Sequence, residues 1–162
     1  MAKLDLNPVA VAEQGLAEFI REIPAVSSLL DHAGTGNVPV YAATDEGAAK
    51  TIRENIDRRL RQCVIVGFQR TTEVIQGAKG TPAKVIFNIT ITSPKIIAEK
   101  AIRSTSDLGC ALIEALHGVQ FAEPFFGGVP VWFESWSHQI GDAGEFMATL
   151  EFGAAIYMTP NF

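Results

Sequence analysis

Basic residues are scarce in this chain. Thirteen Lys and Arg stand against 18 Asp and Glu, for a formal net charge of −5. A binder of nucleic acid irrespective of sequence draws its affinity from cations that neutralise phosphates, so DNA is not the expected default partner. Cysteine is scarcer still. Cys63 and Cys110 are the only two, with no Cys-x-x-Cys, so neither a zinc site nor a thioredoxin-type motif is present. Each lies beside an apolar run or on a helix face, and both are expected to be reduced and buried. The longest apolar runs cover only a few residues, too short to span a membrane. The segment MAKLDLNPVAVAEQGLAEF meets acids and polar residues too early for a secretory signal, so export is not expected. Asn88–Ile89–Thr90 fits the glycosylation pattern but carries no weight without export.

Motifs of chemistry are missing too. GTGN at 34–37 and GAKGT at 77–81 hold glycines, but neither matches GxxxxGK[ST] and both read as loops. His32, His117 and His138 lack metal-ligand spacing. Ser135, Ser137 and His138 are close in sequence, yet Ser137 and His138 fall on opposite faces of a strand, which a nucleophile and its base cannot do. Glu134 and Glu151 fall on strands that can pair, in the polar phase of each, and read first as a solvated or interface face. No catalytic residue, metal or cofactor is therefore expected.

What is present is a folding pattern. With 162 residues and 48% hydrophobic content, the chain suits one domain with a substantial core. Residues 8–23 read as a helix, with Asn7 as cap, Pro8 in the first turn, and Leu16, Phe19, Ile20 and Ile23 on one stripe. Pro24 ends or bends it. Residues 25–30 add a short turn, 31–37 a loop, and 38–42 a short strand. A second helix is predicted over 45–61, with Ile52 and Ile56 in its buried stripe. Strands follow at 62–69 and 84–92, separated by a loop at 70–83 whose Lys79 can reach a neighbour. Residues 95–103 read as helix or edge, and a third clear helix runs from about 105 to 117, capped by Ser104 or Thr105 and closed by Gly118. A Phe-rich loop at 119–130 leads into strands at 131–138 and 145–158. The fold class is thus α+β: a mixed, mainly antiparallel sheet with two to three helices packed on it and a long C-terminal β-hairpin.

The last strand alternates without interruption from Phe146 to Met158, longer than a typical strand. Trp132, Glu134, Trp136 and His138 are expected on one face of its partner, and Val131, Phe133, Ser135 and Ser137 on the other. Bulky aromatics on both faces imply burial on both, one side being the core. The core set is Leu16, Phe19, Ile20, Ile52, Ile56, Val64, Val66, Phe87, Ile89, Leu112, Leu116, Phe133, Leu150 and Phe152. The other side reads as a subunit interface, carried by Trp132, Glu134, Trp136, Lys79, Glu151 and Tyr157.

This layout resembles the phage tail terminator and tail completion proteins, through the amphipathic helix at 8–23, the strands at 62–69 and 84–92, ALIEALHG at 111–118, VWFESWSH at 131–138 and GEFMATLEFGAAIYM at 144–158. The resemblance implies a single such domain over 1–162, with an extra segment at 24–45 as an insertion. It implies a non-enzymatic virion protein of the tail or neck, found in the host cytoplasm during assembly. Such a protein forms a homo-oligomeric ring, of six in the family pattern, that caps the tail tube and meets a neck or connector protein. DNA passes through the ring without specific binding, and no membrane is involved. Two other readings stay open: a small ligand-binding or enzymatic domain with residues 119–130 as a lid, or an adaptor that binds one protein through Trp132 and Trp136.

Overall fold

The computed structural model describes residues 7–30, 38–45, 62–93, 98–140 and 146–159, the side chains of 98–104 excepted. Asn7 starts helix α1 (Pro8–Glu22), its side-chain oxygen accepting the N–H groups of Val9 and Ala10 at 3.1 and 3.3 Å. These are two of the donors that a helix start leaves without partners. Ile23 is extended, as a residue ahead of proline must be, and α2 (Pro24–Leu30) begins at that proline.

Five strands follow in one sheet: β1 (Val40–Ala42), β2 (Cys63–Val74), β3 (Pro82–Ser93), β4 (Trp132–Ile140) and β5 (Phe146–Tyr157), with helix α3 (Ala98–Leu116) between β3 and β4. Their spatial order is β1-β2-β3-β5-β4. Among the described residues only β1 and β2 run parallel, and every other neighbouring pair is antiparallel. The fold is α+β with a mixed, mainly antiparallel sheet and a C-terminal hairpin, as the sequence pattern predicts.

Helices α1, α2 and α3 share one apolar cluster with a single face of the sheet. Ala12, Leu16, Ala17 and Ile20 of α1, Val26 and Leu30 of α2, and Leu108, Leu112 and Leu116 of α3 meet Val64, Val66, Phe87, Ile89, Ile91, Leu150 and Phe152. The strand members are alternate residues in mutual register: Val64 opposes Ile91, Val66 opposes Ile89, and Ile89 and Phe87 oppose Leu150 and Phe152. Burying each large side chain contributes about 1.5–3 kcal/mol. At one corner Gln62, Ser93 and Thr105 are buried together. Gln62 Nε2 donates to both hydroxyls at 2.7 and 3.1 Å, and the hydroxyls lie 3.2 Å apart, so no member is left unsatisfied.

Several expectations change. Strand β2 runs through Val74, where the sequence suggests a loop from residue 70. Two bulges, between Phe68 and Arg70 and between Thr71 and Glu73, absorb the polar run without ending the ladder. The loop shrinks to 75–81, turned by Gly77 and Gly80 at φ +83° and +78°. Helix α3 starts at Ala98, so Thr105 lies inside it instead of capping it. Cys110 is exposed, against the expectation of burial; Cys63 is buried, with Sγ 2.8 Å from Thr92 Oγ1, and burial pushes its thiol pKa up. The expected loop at 31–37, most of the helix at 45–61 with Ile52 and Ile56, His32, and most of the turn at 140–144 lie outside the described residues.

Candidate interaction face

Strand β4 decides how the aromatic residues are used. Trp132 opposes Gly153 and Phe133 opposes Phe152, but Ser135 is the residue opposite Glu151, so Glu134 is an extra residue in the strand. This bulge shifts the side-chain alternation by one. Trp132, Glu134 and Ser135 lie on the face away from the helices, with Ser137 and Gln139 after them. Phe133, Trp136 and His138 lie on the helix side. The expectation that Trp132, Glu134, Trp136 and His138 share one face is therefore wrong, because strict period two holds only without an inserted residue.

Each tryptophan sits on a glycine. A Cβ added at Gly153 would come within 2.0 Å of the Trp132 ring, and one at Gly109 of α3 within 2.3 Å of the Trp136 ring. Trp132 donates its indole N–H to the Glu134 carboxylate. Trp136 is half-buried against the helix-side cluster, beside His138 with ring centroids 5.6 Å apart. Its indole N–H is buried without a hydrogen-bond partner.

The open face carries a polar row across the sheet. Gly67, Asn88, Glu151 and Ser135 stand side by side on β2, β3, β5 and β4. Ser135 Oγ donates to Glu151 Oε2 at 2.7 Å, and Arg70 Nη1 lies 3.5 Å from Glu151 Oε1. The Ser135 hydroxyl first, and then Gln69 and the Arg70 guanidinium, hold the Glu151 carboxyl below its ordinary range against the opposing effect of desolvation. A carboxylate kept ionised this way is a fixed acceptor, whereas a general acid or base is tuned toward the working pH. Lys84 and Glu73 form a second, exposed pair at 3.3 Å. Asn88 Oδ1, in the same row, is buried without a partner.

The Phe-rich loop is fastened down. Phe121 packs edge-on against Phe19 at 5.0 Å, and Phe125 lies between Phe121 and Phe87. Phe126 N–H donates to Ala155 O at 2.7 Å and Tyr157 N–H to Pro124 O at 2.8 Å, so the loop extends the sheet beside the end of β5. The Phe126 ring meets that of Tyr157 at 5.5 Å. A lid that opens over a pocket does not fit these contacts. Among the described residues no His, Cys, Asp or Glu cluster has metal-binding geometry, and no helix is long and apolar enough to cross a membrane. His117 Nδ1 accepts the Phe133 N–H at 3.0 Å, a role its place at the helix end does not reveal.

Of the residues assigned to an interface from sequence, the structure gathers Trp132, Glu134, Glu151 and Tyr157 on the open face. Lys79 is exposed in the 75–81 turn, and Trp136 faces the other way. Of the core set, Leu16, Ile20, Val64, Val66, Phe87, Ile89, Leu112, Leu116, Leu150 and Phe152 are buried, while Phe19 and Phe133 are half-buried. Sequence reading missed Gln69, which it placed at the end of a strand, and Arg70, which it placed in a loop. It also missed Glu13, an acid within the buried stripe of α1 and only 3% exposed. Glu13 Oε1 accepts Phe68 N–H at 2.6 Å and Oε2 accepts Thr44 N–H at 3.2 Å. An acid at helical spacing from Leu16, Ala17 and Ile20 was the available signal.

No family model and no curated protein matches this sequence. Among solved structures, it shares its fold with a chain of one described as "Virion of native gene transfer agent (GTA) particle". The TM-score is 0.58 at 15% identity, over 91% of this chain and 96% of that one. A second, "Structure of without transmembrane region from Akkermansia muciniphila", aligns over 100% of this chain and 94% of that one. Its TM-score is 0.26 at 12% identity, too low to carry a structural comparison.

Proposed function

We propose that this protein is a structural, non-enzymatic subunit of a phage-like particle, and that it acts as a ring that closes the tail tube and joins it to the neck. The observation that carries this reading is the fold correspondence with a chain of a virion particle over nearly the full length of both chains. The two-sided sheet supports it. One face is covered by helices and supplies a core; the other is polar, half-exposed and lacks a catalytic constellation among the described residues. A face of Ser, Thr and Asn whose cations Arg70 and Lys84 are matched by Glu151 and Glu73 suits a lumen that DNA passes without being gripped, because affinity for DNA requires a surplus of cations.

In this reading the whole chain works as one unit in a ring of about six copies with head-to-tail contacts, the usual way a closed cyclic assembly repeats a single interface. The segment 24–45, which carries α2 and β1, sits toward the ring rim. The partners are the tube protein on one side and a neck or connector protein on the other. The place of work is the virion, and the host cytoplasm during assembly.

Mass in solution across a concentration series, by size-exclusion chromatography with light scattering, is the first test. A discrete particle near six times 17.4 kDa, seen as a ring by negative-stain microscopy, supports the proposal. A monomer or a closed dimer at every concentration would count against a ring.

A further inference from the structure

We propose that the ring is built edge to edge, with residues 69–74 of β2 in one copy adding antiparallel to β4 of the next. This rests on the ring reading above and names the contact that makes it. Among the described residues the sheet has two open edges on opposite sides. Strand β4 lacks a neighbour beyond it among the described residues, and β2 lacks one past Phe68. Residues 69–74 and 137–140 are exposed throughout, as are Glu134 and Ser135. An open edge offers a row of unpaired N–H and C=O groups, and monomeric proteins protect such edges with Lys, Pro or bulges. After its bulge at Glu134, β4 runs regularly and carries no Lys, Arg or Pro. On the β2 edge the two charges are turned onto the sheet, Arg70 to Glu151 and Glu73 to Lys84, so neither guards the edge, which keeps only its two bulges as protection.

Glu13 divides the β2 edge. On one side of it β1 fills the edge opposite residues 64–66. The buried carboxylate then takes the N–H groups of Thr44 and Phe68 and ends that pairing. The stretch beyond is left for another chain. Its direction is right, because β2 and β5 run one way and β3 and β4 the other. Copies repeated head to tail therefore bring β4 against an oppositely directed β2. Val74 and Ile140, the large hydrophobics most exposed among the described residues at 47% and 74%, end these two edges.

The offset between the edges matches closure. Thr71, midway along the free β2 stretch, is in register with Val85 of β3, while Trp136, midway along β4, is in register through Leu150 with Ile89. Joining the midpoints thus slides each copy from Val85 to Ile89, about 13 Å along the strand, across about 19 Å of four strands. That slope is a strand tilt of about 35°, within the range of closed barrels. The two bulges in β2 supply local bending, which a sheet needs in order to close.

The test uses the full chain with Cys110→Ser, Cys63 being buried. Thr72→Cys is combined in turn with Ser135→Cys, Ser137→Cys and Gln139→Cys, so that one pair meets disulfide distance whatever the fine register. On oxidation, one double variant should give a ladder ending at the ring size, and each single variant should stay unlinked. Dimers from Ser137→Cys alone would show β4 pairing with β4 and overturn the proposal. A multimer that yields no ladder from any pair would overturn the edge contact and leave the ring standing. A ladder that continues into fibres would keep the edge contact and overturn the ring, and a monomer at all concentrations would overturn both. Without cysteines, Ser137→Lys should lower the assembled mass to that of one chain while its melting temperature as a monomer stays that of the parent.

Discussion

The two faces of β5 obey different rules although they belong to the same residues in alternation. On the helix side Ala148, Leu150, Phe152, Ala154 and Ile156 are buried in an apolar cluster, where the Trp136 indole N–H is a buried donor without a partner. On the open side Thr149, Glu151 and Tyr157 are half-exposed; Glu151 accepts the Ser135 hydroxyl and the Tyr157 ring meets that of Phe126. One face specifies the fold; the other has polar groups to spare after folding is complete. The same chain can therefore be tested for stability on one side and for contacts on the other.

The largest effect is expected on the helix side. Phe152→Ala should lose about 3–5 kcal/mol in chemical denaturation, because a buried ring leaves a cavity. A loss under 1 kcal/mol would mean that this face is not the core. At the border between helix and sheet edge, Glu13→Ala leaves the Thr44 and Phe68 N–H groups without their acceptor and should cost about 2–3 kcal/mol. Hydrogen exchange at Phe68 should rise with it, and an unchanged rate there would remove Glu13 from its role.

Gly153→Ala places a methyl group where the Trp132 ring lies and should cost about 1–3 kcal/mol. Adding Trp132→Ala should recover part of that loss; if the two substitutions simply add, the contact is not what makes the glycine necessary. The smallest change belongs to Glu151→Gln, within about 1 kcal/mol at neutral pH, as for other surface ion pairs. The folded Glu151 carboxyl titrates below its unfolded range. Its contribution is thus full above about pH 4.3, the ordinary Glu value, and fades as pH falls through the depressed one. Parent and variant melting temperatures should converge in that acid range, and a gap that widens there would reverse the sign.

Most of the framework was legible because it rests on local signals. Asn7–Pro8, Pro24, Gly118 and the long alternation of β5 each fix a boundary or a phase by their own chemistry. What was not legible depends on one residue more or less in a ladder. The run RTTE at 70–73 looks like a loop because bulges disturb its alternation, yet the ladder with β3 continues past it. Glu134 gives no sign in sequence that it is the residue without an opposite number. The aromatic packing of 119–130 depends on Phe19 and Phe87, far away in the chain, so composition suggested a lid where tertiary contacts make a strap. For the interface residues, sequence reading found four of the open face but could not assign Trp136 to the other side.

The bulge at Glu134 works like a shift of reading frame within a strand. Ahead of it, odd-numbered positions point to the helices; after it, even-numbered ones do. Flatten the bulge with all residues kept, so that Glu134 takes a place in the ladder, and either Trp132 trades places with Phe133 or Trp136 with Ser137, so one tryptophan must leave its glycine. The bulge therefore lets two tryptophans four residues apart face opposite ways, one answering to Gly153 and the surface, the other to Gly109 and the helix.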